Sequence, residues 1–363
     1  MTTDRPDPTA SHRAIRLPSV LRIVEGLDEA VAAMVDAGMG SERALVVHSG
    51  GRSGTGYGAA FAEGLRRAGF DSHETLVGAV PETGVDQVEA EIARLAPARV
   101  VGLGGGLVTD VAKLAAARRD VPFICLPTQA SSDGICSPVA VIPDKQGRPN
   151  SIGARIPAGV IVDMGVLDRA PAGTWLAGLG DLVSNLSAVR DWRWAHREFG
   201  EPVDDFACLT AEAAALSVIE DDVDLADRDF RAKLIRGLIL SGVAMEMAGS
   251  SRPASGSEHL ISHALDAAGA ERRPHGLQVA MASIISYHLR GDDPSQLLRF
   301  YRSVGLPERP EDLGLTIDDV LAAARQGPRT RPGRRTILDR FDRVAERSLA
   351  EFLGAGVVHA ALP

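Results

Sequence analysis

Apolar positions fall into two regimes along this chain. In the first half, short apolar runs at 44–48, 72–77, 98–103, 121–126 and 158–163 predict buried strands. Helical periods at 56–68, 85–95 and 107–118 lie between them. Strands alternating with helices describe βαβ units on a parallel sheet. The polar stretch 143–150 interrupts the pattern and reads as a hairpin tip or loop. From Trp175 onward the periods are nearly all helical, with breaks near Gly200, 249–256, 271–274, 291–294 and 326–335. The expected organisation is an α/β N-terminal domain over 1–170 and an all-α helical-bundle domain over 171–363, with no internal repeat.

Composition narrows the function classes. A chain of 363 residues exceeds one small core, so two domains are expected. No apolar run approaches the roughly 20 residues that span a bilayer, and the polar start 1–11 does not read as a secretory leader. A formal net charge of −9 argues against nucleic acid as the main partner. Cys125, Cys136 and Cys208 form no Cys-x2-Cys pair, which fits a reducing, cytoplasmic setting and no disulfide framework. Basic residues are almost all Arg, with Lys only at Lys113, Lys145 and Lys233, so a single Arg carries little weight.

The spacing richest in chemistry is His259, His263 and His275. The first two lie one helical turn apart and share a face. His275 follows a break, so two helices in contact can bring His259 and His275 to one point beside His263. Nitrogen ligands with an open position suit a divalent metal. Two helix histidines that are solvated or hydrogen-bonded would show the same spacing. Asp181 follows Gly180 near a helix start; it fits either an N-terminal cap or a third metal ligand. Ser255-Gly-Ser-Glu258 has capping-box spacing, which makes Glu258 structural. Arg252, shortly before that helix, is a surface charge or a fork for a substrate phosphate.

Two further segments suit a cofactor. The run Val100-Val-Gly-Leu-Gly-Gly-Gly-Leu-Val-Thr-Asp-Val-Ala-Lys113 passes from a strand through three glycines into a helix. Such a turn lets the backbone approach a pyrophosphate, and the helix N-terminus favours the anion. Its spacing is not Gly-x-Gly-x-x-Gly. The run Leu126-Pro-Thr-Gln-Ala-Ser-Ser-Asp-Gly-Ile-Cys-Ser-Pro138 stands at the carboxyl end of a strand, where open α/β sheets bind ligands. Thr128, Ser131 and Ser137 can meet cofactor phosphate, ribose or amide, and Asp133 a substrate hydroxyl. A loop whose hydroxyls cap local backbone is the simpler reading.

In order, Gly-Gly-Gly-x-x-x-Asp-x-x-Lys, Pro-Thr-x-x-Ser-x-Asp-Gly-x-x-Ser-Pro, Gly-x-x-Asp-x-x-Ser-Asn, Ser-Gly-x-Glu-His-x-x-Ser-His and His-Gly follow one another. This succession resembles the sn-glycerol-1-phosphate dehydrogenases, relatives of iron-containing alcohol dehydrogenases, glycerol dehydrogenases and 3-dehydroquinate synthases. It runs collinearly from about Ala44 to Leu338. The resemblance implies a dehydroquinate synthase-like fold, with a nicotinamide-nucleotide-binding N-terminal domain and the active site in the interdomain cleft. It also implies that Gly105, Gly106, Thr109 and Asp110 cradle phosphate, with Thr128, Ser131 and Ser137 as the second cofactor segment. Asp133 falls at the substrate position, Asp181, His259 and His275 on the metal ligands, and His263 on a substrate-contacting histidine. Arg252 is placed like the phosphate-binding arginine of the dehydroquinate synthases.

The expected activity is a metal-dependent, NAD(P)-linked reduction of a small phosphorylated hydroxy-ketone, such as dihydroxyacetone phosphate to sn-glycerol 1-phosphate. Asp133 and His263 would act at the reacting carbon, with Asp181 and Arg252 also against substrate. One divalent metal is expected, Zn2+ ahead of Fe2+, in a homo-oligomer. A sugar-phosphate cyclase using bound NAD is the alternative; Thr109, Lys113 and Asp181 depart from its pattern. Ser132 and Leu277 replace the family's usual His and Glu, which predicts a more apolar pocket open to bulkier ketones. Arg52 after the first strand admits NADPH.

Overall fold

The computed structural model describes residues 15–39, 42–50, 56–78, 81–144, 149–220, 223–269 and 273–355. Arg52 lies outside them. The N-terminal half is a sheet of six parallel strands in the order β1-β8-β5-β4-β2-β3. These are β1 (Val20–Val24), β2 (Arg43–His48), β3 (Asp71–Leu76), β4 (Arg99–Gly104), β5 (Phe123–Pro127) and β8 (Gly159–Asp163). Helices α1 (Leu27–Met34), α2 (Tyr57–Arg67), α3 (Pro81–Leu95) and α4 (Gly106–Arg118) form the crossovers. Strand alternation decides which face each covers. Leu45 and Val47 of β2 pack with Val88, Ile92, Val111 and Leu114 of α3 and α4. Ala44 and Val46 pack instead with Val31, Phe61 and Leu65 of α1 and α2.

Two short strands flank the polar segment expected to be a hairpin tip or loop, of which 145–148 lie outside the described residues. β6 (Val139–Val141) pairs antiparallel with β7 (Ser151–Gly153) around the 143–150 segment. The first strand and its helix, β1 and α1, were not legible in the apolar pattern. β1 is an edge strand with a single neighbour, β8. Its middle positions are not buried, so no continuous apolar run marks it.

After the single turn α5 (Met164–Leu167) the chain is helical. It comprises α6 (Ala172–Val183), α7 (Asn185–Phe199), α8 (Asp205–Leu216), α9 (Arg228–Ala248), α10 (Ser257–Ala267), α11 (His275–Arg290), α12 (Ser295–Val304), α13 (Ile317–Thr330) and α14 (Arg343–Gly354). No described helix is long and apolar enough to cross a membrane. The main apolar core is continuous between the halves, joining Cys125 and Val160 of the sheet to Leu179, Leu182 and Leu238 of the helices.

Backbone contact without side chains joins α6 to its neighbours. A Cβ on Gly276 would lie 1.8 Å from the Ala177 carbonyl oxygen, and one on Gly180 would lie 2.3 Å from the Gly276 carbonyl oxygen. Thus α6 and α11 touch backbone to backbone. A Cβ on Gly178 would lie 2.0 Å from the Ala130 carbonyl oxygen, so α6 also abuts the loop after β5. No side-chain rotation relieves a clash with a carbonyl. Gly276→Ala is therefore expected to cost about 1–3 kcal/mol or more by forcing the helices apart, read as a lowered Tm. An unchanged Tm would show that this contact yields freely.

Candidate metal and active site

The contact at Gly180 and Gly276 brings together residues 94 positions apart in sequence, Asp181 and His275. Asp181 follows Gly180 in α6, and His275 opens α11 after Pro274. Asp181 Oδ1 lies 3.8 Å from His275 Nε2 and 3.9 Å from His259 Nε2 on α10. One potential ligand atom from each of the three lies within 4.8 Å of the others. Asp181 is within α6 rather than at its cap, and its carboxylate is buried.

Hydrogen bonds set the tautomers of both imidazoles. Ser262 Oγ donates its only proton to Gln278 Oε1 at 2.9 Å, and the Gln278 amide nitrogen donates to Asp266 and the Arg273 carbonyl. Ser262 Oγ, 3.0 Å from His275 Nδ1, must therefore accept from it. On the other ring, His259 Nδ1 lies 3.1 Å from Glu258 Oε1, which also accepts the Gly256 N–H. Each ring thus carries its proton on Nδ1 and turns an Nε2 lone pair toward Asp181, as a metal-ligating histidine does.

The titrating groups are strained by burial. Burial pushes the Asp181 carboxyl up to about 7, with Glu258 adding repulsion and the Asp133 N–H, 2.8 Å from Oδ2, opposing. Asp133 also rises to about 7, through burial and then the Asp181 charge. His259 and His263 are held well below the usual imidazole range by burial, then by His275. His275 is lowered by burial against the pull of Asp266, Asp133 and Glu258. Neutral imidazoles beside a poorly solvated carboxylate are a donor set that a divalent cation would relieve.

His263 completes the cluster without a hydrogen bond to the ligand set. Its ring centroid is 6.3 Å from that of His259 and 6.0 Å from that of His275. Asp133 sits at the same place from the other half of the molecule. Its Oδ2 accepts from Ser241 Oγ at 2.8 Å, and Ser241 in turn accepts from Asn185 Nδ2 at 3.0 Å. Ser132 accepts the Gly134 N–H, so its hydroxyl caps the turn carrying Asp133. Leu277 packs against the main hydrophobic core.

The cofactor candidates divide. Gly105 caps α4 and Gly106 begins it; a Cβ on Gly106 would meet no protein atom within 4 Å. The open N-terminal turn is thus accessible to an anion. Thr128 Oγ1, at the end of the neighbouring strand, is buried without a hydrogen-bond partner. Ser131 stands half-buried in the same loop. Thr109, Asp110 and Ser137 have protein partners instead. Thr109 is buried against the Cys125 thiol. Asp110 accepts from Lys113 Nζ and the Val141 N–H, both at 3.1 Å. Ser137 donates to the Val139 carbonyl at 3.1 Å. Lys113 is wholly buried and also binds the Gly134 and Val139 carbonyls, so Asp110 and Lys113 tie α4 to the Asp133 loop.

The helical half likewise reassigns several side chains. The helix α10 starts at Ser257 with Gly256 as its cap, and Ser255 Oγ makes no hydrogen bond. The expected capping box therefore does not form; Glu258 instead orients His259. Arg252 is buried, with its fork on Glu201 and Nη1 on the Arg335 carbonyl at 2.8 Å. A carboxylate already fills the place predicted for a phosphate. Sequence reasoning missed Asp191, which is buried, accepts the N–H groups of Ser257 at 2.6 Å and Ile337 at 3.1 Å, and pairs with Arg290 at 3.2 Å. It missed Ser241 too, a hydroxyl in an apolar helix with no motif around it.

A family model described as iron-containing alcohol dehydrogenase matches residues 22–171. The glycerol-1-phosphate dehydrogenase [NAD(P)+] of Hyperthermus butylicus is 36% identical over 332 residues, 90% of this chain and 93% of that protein. The chain belongs to the glycerol-1-phosphate dehydrogenase family. The enzyme of that name from Thermococcus sibiricus is 42% identical over 70% of this chain and 74% of its own. Among solved structures, a probable glycerol dehydrogenase from Sinorhizobium meliloti superposes with a TM-score of 0.72 at 23% identity, covering 96% of this chain and 99% of that one. This last likeness shows the shared fold. As a member of the glycerol-1-phosphate dehydrogenase family, the chain is an NAD(P)-dependent oxidoreductase.

Because Glu258 holds the proton of His259 on Nδ1, Glu258→Gln is expected to weaken divalent-metal affinity by about 10–100-fold. Competition against a chromogenic chelator measures it; wild-type affinity in the variant would make Glu258 purely structural.

Proposed function

We propose that this protein reduces a small phosphorylated hydroxy-ketone, dihydroxyacetone phosphate or a near relative, using NAD(P)H and one divalent metal held by Asp181, His259 and His275. The observation that carries this reading is the pair of Nε2 lone pairs facing a buried carboxylate, with Asp133 and His263 beside them. Three ligands and one open position make a catalytic arrangement rather than a closed structural one. Zinc fits two imidazoles and a carboxylate and stands above iron in the affinity order.

When bound, the metal would supply Lewis-acid polarisation of the carbonyl and the nicotinamide would supply the hydride. The chain's own residues do the rest. Gly106 leaves room at the start of α4 for the cofactor pyrophosphate, Gly105 faces the Gln129 side chain, and Thr128 Oγ1 and Ser131 offer hydroxyls next to it. Asp133, fixed by Ser241, holds the substrate hydroxyl and presents its backbone N–H to Asp181. His263, kept neutral by burial and free of the ligand set, would act as a relay, giving its ring N–H proton to the oxygen formed at the reduced carbon while its other ring nitrogen takes one from solvent. The core continuous between sheet and helices keeps these groups in a fixed relation.

Steady-state nicotinamide oxidation with a panel of small ketones tests the reading. Turnover is expected with dihydroxyacetone phosphate, lost after chelation and regained with Zn2+. His263→Asn is expected to lower kcat by ~10²-fold or more while keeping the metal. Turnover that survives complete metal removal would refute the proposal.

A further inference from the structure

Three guanidinium groups gather on the floor of the helical half, and they are not equivalent. Arg252 has Glu201 as its counter-ion. Arg331 Nη1 and Arg334 Nη2 converge on one hydroxyl, Ser251 Oγ, at 2.8 and 3.1 Å. Arg334 Nη1 also bonds the Ser255 carbonyl. Among the described residues neither Arg331 nor Arg334 has a carboxylate in salt-bridge contact, whereas Arg335 next door pairs with Asp339 at 2.8 Å. Both are half-buried. Packing two unpaired cations against a hydroxyl is costly unless an anion joins them. The cost is visible in Arg334, whose acidity is pushed to about 9 by burial, then by Arg331 and Arg252.

The location ties this charge to the active site. Arg334 holds the Ser255 carbonyl, two residues before the start of α10, the helix that carries His259 and His263. The buried Ser255 hydroxyl, in the same loop, has no partner. Asp191 fixes both sides of the arrangement, accepting from Ser257 at the start of α10 and from Ile337 just after the arginines.

We propose that Arg331 and Arg334, with the hydroxyls of Ser251 and Ser255, form the subsite that receives the phosphomonoester of the substrate, while Arg252 acts as a buttress neutralised by Glu201. The subsite rests on the reading of the reaction given above and assigns its phosphate requirement to particular side chains. Two planar forks meeting at one point suit a dianion that presents three oxygens. The carbonyl end of the substrate is then directed along the start of α10 toward the imidazole cluster. A segment from 331 to 334 that is remote in sequence from the metal ligands thereby sets substrate class.

The test uses the metal-loaded full chain and the variants Arg331→Gln, Arg334→Gln and Arg252→Gln. The measured quantity is the preference, in kcat/KM, for dihydroxyacetone phosphate over dihydroxyacetone. Arg331→Gln and Arg334→Gln are each expected to reduce it by about 10²-fold, the loss of a charge-assisted contact. Lysine at either position is expected to restore part of it. KM values for NADH and NADPH are expected to stay within about twofold of wild type, which separates a substrate phosphate from the cofactor's 2′-phosphate. An unchanged preference, or a rise in KM for NADPH alone, would overturn the assignment. If the wild type reduces neither ketone, the proposed reaction fails and the subsite is judged by calorimetry with inorganic phosphate. Binding weakened tenfold or more in both variants at unchanged metal content would uphold it, and equal binding in all proteins would overturn it.

Discussion

The backbone contact between α6 and α11 governs the rest of this molecule. Glycine at 180 and 276 lets two helices approach to a separation that no Cβ would permit. That separation puts a carboxylate from one helix beside the first side chain of the other. The same helix meets the loop after β5 at Gly178, so the sheet delivers Asp133 to the opposite side of Asp181. A site drawn from both halves is thus set by three close approaches on one short helix.

Electrostatics then makes the site chemically poised. Two carboxyls raised to about 7 and three imidazoles lowered by burial would each be more comfortable in water. Hydrogen bonds with Ser262, Glu258, Ser241 and the Asp133 N–H orient His275, His259, Asp133 and Asp181 within this cluster. The arrangement also explains why His263 differs from its neighbours. It shares their desolvation but has no hydrogen bond steering it into the ligand set.

Much of this was legible in the sequence. Alternating apolar runs revealed the parallel sheet, and the His259, His263 and His275 spacing with Asp181 identified the residues that converge. The edge strand β1 escaped because one partner and a half-exposed middle leave no apolar signature. The capping role expected of Ser255 failed because the helix begins two residues later. Arg252 looked like a phosphate ligand by position alone; its counter-ion Glu201 lies 51 residues away and no local pattern announces it. Asp191 and Ser241 were invisible for the same reason, since each acts on segments distant in sequence. Asp110 read as part of a phosphate cradle, yet its carboxylate is bound to Lys113 and Val141.

Anomalous diffraction from crystals grown with Zn2+ tests the central claim most directly. The account predicts one peak per chain, bonded at about 2.0–2.2 Å to Nε2 of His259, Nε2 of His275 and a carboxylate oxygen of Asp181. A peak bonded through Nδ1 of either ring, or a metal held by His263 in place of Asp181, would contradict it.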